Sequence, residues 1–339
     1  MLNIAEINLT SLKKNALSIK KKLPEKTKFC AVVKADAYGH GAEECARALY
    51  SVADCFAVAL IEEGVRLRQS GIDKDILVLI PPFPCDIRRG VEYRLTFAAD
   101  SLSQIKLIDR ESKKQGKKTK IHLKFDSGMN RFGVSSVEEV KSLAEYAAKR
   151  KNIFLEGIFT HFYDVNDDEA VKIQYDKFLL AIKAVRVYNK NVIRHISASG
   201  GFLKGYYLDM VRIGILLYGY KPFKNASIGV KPVMKVYSPC VKRKVVKGGD
   251  TALYGGKRAD KDTKAFLVRY GYADGLPRKE VSGQFNNRCM DVSLQTQNVG
   301  KNGFFTVLDD ADVLAEKYGT ISYEILTKVA LRAEKIYIR

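Results

Sequence analysis

The chain has 339 residues and six cysteines, with 58 Lys plus Arg against 38 Asp plus Glu for a net charge of +20. A chain of this length fits about two domains around a sizeable core, and no apolar run approaches the roughly 18 residues of a membrane-spanning helix. With no CxxC pair and no basic start followed by a long apolar run, reduced thiols in a cytoplasmic setting are expected.

In chain order, a first helical stretch carries Lys13, Lys14, Lys20, Lys21 and Lys22. Apolar strand-like runs then recur at 29–33, 55–60, 76–80, 95–98, 121–125, 153–159, 192–196 and 210–213, with helical patterns between most of them. Strands alternating with helices imply parallel βαβ units. Eight of them in about 200 residues match a closed (β/α)8 barrel better than an open sheet. Lys34, Asp126, His161, Ser199 and Arg212 fall at or just beyond strand ends, where a barrel builds its active site. The alternation over 121–126 puts His122, Lys124 and Asp126 on one strand face, directed into the barrel if Leu123 and Phe125 pack under helices.

Beyond about residue 220 the pattern changes to short β-like runs at 240–246, 265–270 and 304–308. One helix is expected at 310–317, capped by Asp309 or Asp310 and ended by Gly319. The fold class is therefore α/β, an N-terminal (β/α)8 barrel over 1–224 and a mostly β domain over 225–339, divided in the polar, proline-containing segment 221–227. The lysine-rich stretches at 13–22, 113–120 and 242–244 read as separate solvated faces without aromatic interleaving. Neither nucleic acid nor a membrane is an expected partner, and no metal site is expected.

The most informative run is Ala31-Val32-Val33-Lys34-Ala35-Asp36-Ala37-Tyr38-Gly39-His40-Gly41. An apolar strand delivers one lysine into a turn before a helical stretch at 42–50. An amine at the mouth of such a strand is partly desolvated, which lowers its pKa and lets it condense with an aldehyde such as pyridoxal phosphate. A single lysine at a strand end is usually only solvated; it is the contiguous run that makes this one a candidate anchor.

The run is similar to the cofactor-attachment motif of the alanine racemases. The resemblance extends through 121–134, Thr160-His161-Phe162, Val211-Arg212-Ile213-Gly214, Gly271-Tyr272-Ala273-Asp274-Gly275, Cys289-Met290-Asp291 and Gly319-Thr320-Ile321-Ser322-Tyr323-Glu324. It implies an enzyme that interconverts L- and D-alanine on pyridoxal 5'-phosphate through an aldimine, supplying D-alanine for peptidoglycan. Lys34 would anchor the cofactor and serve one face of the substrate; Tyr254 would serve the other from a neighbouring subunit, in a head-to-tail homodimer. Tyr38, Ser199, Gly214, Ile215 and Tyr323 would hold the phosphate. Arg212 would face the pyridine nitrogen and His161 would bond Arg212.

The same resemblance places Arg131 near the cofactor's ring oxygen and the substrate carboxylate, with Met290 touching that carboxylate through its amide. Tyr272 and Arg278 would line the access route, and Lys124 would be carbamylated to orient Arg131. Asn130 stands where a glycine is usual, Asn287 where an arginine is usual, and 275–289 is about ten residues shorter than the family pattern. These departures leave a serine or broad-spectrum racemase with the same machinery as the alternative. A barrel without turnover would lack Tyr254 and the second domain.

Overall fold

A computed structural model describes residues 2–223, 228–254, 258–278, 288–296, 300 and 302–339. The division at 224/225 and Asn287 lie outside the described residues, as does most of the shortened segment. No helix among the described residues is long and apolar enough to cross a membrane.

The first strand, β1 (Asn3–Asn8), leads into α1 (Leu9–Lys20), which is capped where Asn8 Oδ1 accepts from the Ser11 amide. Eight strands follow: β2 (Lys28–Val32), β3 (Cys55–Val58), β4 (Ile76–Val78), β5 (Thr96–Ala99), β6 (Thr119–Lys124), β7 (Ile153–Phe159), β8 (Ile193–His195) and β9 (Met210–Ile213). All pair in parallel in sequence order, and β9 returns to pair with β2. Bonds from Asp209 N to Arg194 O and from Arg212 N to Ser197 O join β8 to β9, which nearly closes the barrel. The eight apolar runs of the sequence are thus the eight staves. Leu123 and Phe125 are buried outward, so His122 and Lys124 do face inward.

The second domain is one six-stranded sheet with helices on it. The long β10 (Met234–Val246) pairs antiparallel with β11 (Thr263–Val268) and β13 (Phe304–Leu308), and β12 (Ser293–Gln295) extends the sheet beyond β11. The chain's own first strand joins this sheet, not the barrel: β1 lies antiparallel to β10 and parallel to the last strand, β14 (Ala333–Ile338). Instead of one α-helix, the described residues of this domain hold two. The expected one, Ala311–Tyr318, is capped by Asp310 and ended by Gly319 at φ 65°; the second, Ser322–Val329, packs against the turn that follows β2. It puts Tyr323 beside Tyr38, with ring centroids 5.9 Å apart.

Candidate active site

Lys34 leaves the end of β2 into an unusual backbone. Ala35, Asp36, Ala37 and Tyr38 all have φ between 51° and 54°, a full turn of left-handed helix built without a glycine. Each such residue costs about 1–2 kcal/mol, so surrounding bonds must hold the turn. Glu63 Oε1 accepts from the Ala35 amide at 2.6 Å, and Asp36 accepts from Ala42 N at 2.8 Å while pairing with Lys335 at 2.8 Å. Inside, the fully buried His40 donates from Nδ1 to the Ala37 and Tyr38 carbonyls at 2.9 and 3.0 Å. The turn reverses the chain so that Lys34 and Tyr38 both line one cavity at the C-terminal mouth of the barrel.

That cavity has a volume of about 440 Å³. It brings together ten residues singled out in the sequence: Lys34, Tyr38, Lys124, Arg131, His161, Ser199, Arg212, Gly214, Ile215 and Tyr323. Among the described residues, two arginines and two lysines line it, counting Lys124, against a single acid, Asp164. Burial lowers the Lys34 pKa, and the Arg131 charge lowers it further. Burial also raises the Tyr38 hydroxyl pKa and pushes Tyr323 up to about 12, so both phenols are protonated donors. Ser199 Oγ accepts from Gly214 N at 3.3 Å, and a Cβ on Gly214 would lie 2.4 Å from the Tyr38 hydroxyl. Hydroxyls and backbone amides thus converge beside a position that admits no side chain.

Arg212, on β9, lies on the cavity floor and is almost wholly buried. Its Nη1 donates to His195 Nδ1 at 2.6 Å; its Nη2 donates to the Thr160 and Ile196 carbonyls at 2.8 and 3.0 Å and reaches His161 Nδ1 at 3.3 Å. Burial lowers its pKa only to about 10, so it stays charged at neutral pH. His161 is held well below the ordinary imidazole value, first by burial and then by Arg212 and Arg131, and is neutral. Phe159 forms a platform under this group, 5.3 Å from the guanidinium and stacked on His195 at 4.9 Å.

Arg131 is set by the loop after β6. Asp126 Oδ1 accepts from the amides of Gly128, Met129 and Asn130 at 2.8, 2.9 and 3.1 Å, and Oδ2 from Arg131 N at 3.2 Å. Asn130 sits at φ 54°, which explains why a glycine is usual there and why asparagine, the most tolerant other residue, can replace it. Lys124 donates to Leu79 O at 3.1 Å. Burial, reinforced by Arg131 and Arg212, lowers its pKa to about 8.

Tyr254, Tyr272 and Met290 do not line the cavity of their own chain; they are 72%, 41% and 54% exposed in the second domain. Tyr272 and Met290 nevertheless share one corner. Tyr272 N donates to Cys289 O and Ala273 N to Met290 O, both at 3.0 Å, and Arg332 clamps Asp274 and Asp291 beneath them. Arg278 is described and exposed.

Sequence reasoning missed Glu63 and His195. Glu63 gives no signal, because it is one acid among several at a helix start. His195 lies in the apolar run 192–196, where nothing local marks it as the partner of Arg212.

Residues 7–222 match the model of the alanine racemase N-terminal domain, and 233–337 that of the alanine racemase C-terminal domain. "Alanine racemase 2" of Caldanaerobacter subterraneus is 33% identical, covering 98% of this chain and 94% of its own. "Alanine racemase 1" of Bacillus subtilis is 31% identical over 98% and 92%. Among solved structures, the alanine racemase of Clostridium difficile 630 superposes with a TM-score of 0.93 at 31% identity, covering 100% of this chain and 96% of that one. With matches to both domain models and full-length relatives above 30% identity, the chain belongs to the alanine racemase family.

Proposed function

We propose that this protein interconverts L- and D-alanine with pyridoxal 5'-phosphate as cofactor, using Lys34 and the partner's Tyr254 as bases on opposite faces of the substrate. Its working form is a head-to-tail homodimer in which the second domain completes the neighbouring site, and its product serves peptidoglycan synthesis in the cytoplasm. The observation that carries the reading is the convergence of a desolvated lysine, a charged arginine and a ring of hydroxyl and amide donors in one cavity.

The donor set fits the cofactor. Four cations against one acid suit a phosphate plus a substrate carboxylate, and the close approach of Tyr38 to Gly214, where a Cβ would clash, leaves backbone amide and hydroxyl donors side by side. When bound, pyridoxal phosphate supplies an aldehyde that condenses with an amine and a ring that withdraws electrons from the adjacent carbon.

The protein's share is placement and proton handling. Tyr38, Ser199, Tyr323 and the amides of Gly214 and Ile215 bind the phosphate. Arg212 binds at the ring nitrogen as a group that donates but does not give up its proton, which restrains side reactions. Lys34 Nζ takes a proton from one face and returns it there in the reverse direction. The partner's Tyr254 serves the other face, giving its phenolic proton when Lys34 takes one and taking one as phenolate when Lys34 gives, so neither base must move around the substrate. Arg131 orients the carboxylate, Met290 contributes its amide and Tyr272 the access wall, both from the second subunit. Carbamylated Lys124 would neutralise the excess positive charge beside Arg131.

The reading is tested by chiral analysis of L-alanine and L-serine incubated with purified protein and pyridoxal phosphate. Alanine racemisation that is lost in Lys34→Ala is expected. Preferential serine turnover would replace the substrate, and absence of turnover from cofactor-loaded protein would refute the reading.

A further inference from the structure

A hydrogen-bond chain runs through the barrel interior from the cavity floor to the opposite end, and the function above uses only its first member. Arginine can only donate, so His195 must accept at Nδ1 and carry its proton on Nε2. That proton faces His122 Nδ1 at 2.8 Å, which imposes the same tautomer on His122, and His122 Nε2–H meets Glu156 Oε2 at 3.1 Å. A carboxylate can only accept. The far end therefore dictates the same direction as the near end, and every proton in the chain has one place.

Glu156 is ionised in spite of its burial: His122 and Lys120, the latter at 2.9 Å, hold its carboxyl at about 2. Lys120 continues to Asp75 at 2.7 Å.

Two local departures from regular structure serve this chain. The ladder of β6 and β7 pairs Ile121 with Leu155 but His122 with Gly157, so Glu156 is the extra residue of a bulge. Bulges re-aim a side chain, and they are rare between parallel strands. Gly157 then leaves room for the ring, because a Cβ there would lie 2.4 Å from His122 Nδ1.

We infer that Glu156 and His122 are positioning residues that, through His195, fix the Arg212 guanidinium and its donating strength toward the group bound above it. A negative charge at the far end polarises each link, making His195 a better acceptor for Arg212 than an isolated imidazole. The inference rests on the reading of Arg212 as the partner of the cofactor's ring nitrogen, and its test separates the two.

In the protein without cofactor, ¹⁵N spectra of the histidines should show Nδ1 bare and Nε2 protonated in both His195 and His122. A proton on His195 Nδ1 overturns the proposal. In cofactor-loaded protein, Glu156→Gln keeps an acceptor for His122 but removes the charge. It should shift the visible absorption band and lower kcat about 2- to 30-fold with little change in KM. Gly157→Ala, which displaces the His122 ring, should shift the band in the same sense. Folded Glu156→Gln with wild-type band and kcat would overturn the proposal and leave the racemase reading standing. A band that shifts in protein that never racemises alanine would do the reverse.

Discussion

Replacing Asp126 by Asn tests how Arg131 is held. The Asp126 carboxylate is 8% exposed and accepts four backbone amides at 2.8–3.2 Å. Asparagine can keep three of them on Oδ1, but its NH2 would face the Arg131 amide, donor against donor. A bond to a charged acceptor contributes about 1.5–3 kcal/mol and a neutral one about 0.5–1.5. One bond lost (about 1.5–3) and three weakened by about 1–1.5 each therefore sum to roughly 4.5–7.5 kcal/mol, and access of water to the loop lowers this by about half, to roughly 2–4 kcal/mol.

Because the strain is confined to the loop that carries Arg131, most of it should appear as displacement of that side chain. KM for L-alanine should rise about 10- to 100-fold, by the rule of tenfold per 1.4 kcal/mol, with kcat falling less. The assay is steady-state racemisation alongside urea unfolding. An Asp126→Asn protein with wild-type KM, or one that loses only kcat, would refute the argument.

The remaining expectations follow from other contacts. His40→Ala removes the donor to the Ala37 and Tyr38 carbonyls and opens a cavity against Tyr218, 4.5 Å away. Equilibrium unfolding should show a loss of about 3–4 kcal/mol, and an unchanged value would mean that the left-handed turn is held without it. Glu156 is ionised more readily folded than unfolded, so its contribution is complete above about pH 4.5 and disappears as pH falls toward 2. The shift corresponds to about 2–3 kcal/mol, and the acid limb of stability should flatten in Glu156→Gln. Lys124, at about 8, has on the order of a tenth of its amine neutral at pH 7. That amine adds to carbon dioxide with release of a proton, so ¹³C-bicarbonate should give a carbamate resonance that Lys124→Met lacks.

The barrel was legible because its staves are short, mainly apolar runs bounded by polar turns; 29–33 and 76–80, which are wholly apolar, could hardly be read otherwise. The site was legible where it follows the staves, as for Lys34, His161 and Arg212. What escaped depends on distant partners. Ala35-Asp36-Ala37-Tyr38 contains no glycine or asparagine, and its left-handed turn is held by bonds from Glu63, His40 and Ala42 and by the Asp36–Lys335 pair from the far end of the chain. β1 finds both its neighbours more than 220 residues downstream, so no local pattern assigns it to the second sheet. Glu156 reads as one position in an alternating strand, and only the bulge turns it toward His122. Tyr254, Tyr272 and Met290 were named by resemblance alone, since one chain does not bring them to its own cavity.

The proposed racemase requires a site shared between subunits, with one base from each. Lys34→Ala and Tyr254→Phe chains carrying different tags should be co-expressed and the mixed dimer isolated by both tags. Each parent should be inactive or nearly so, whereas the mixed dimer holds one doubly altered site and one intact site and should regain about half of wild-type racemisation. A mixed dimer as inactive as its parents, or a Tyr254→Phe parent with wild-type activity, would contradict the account.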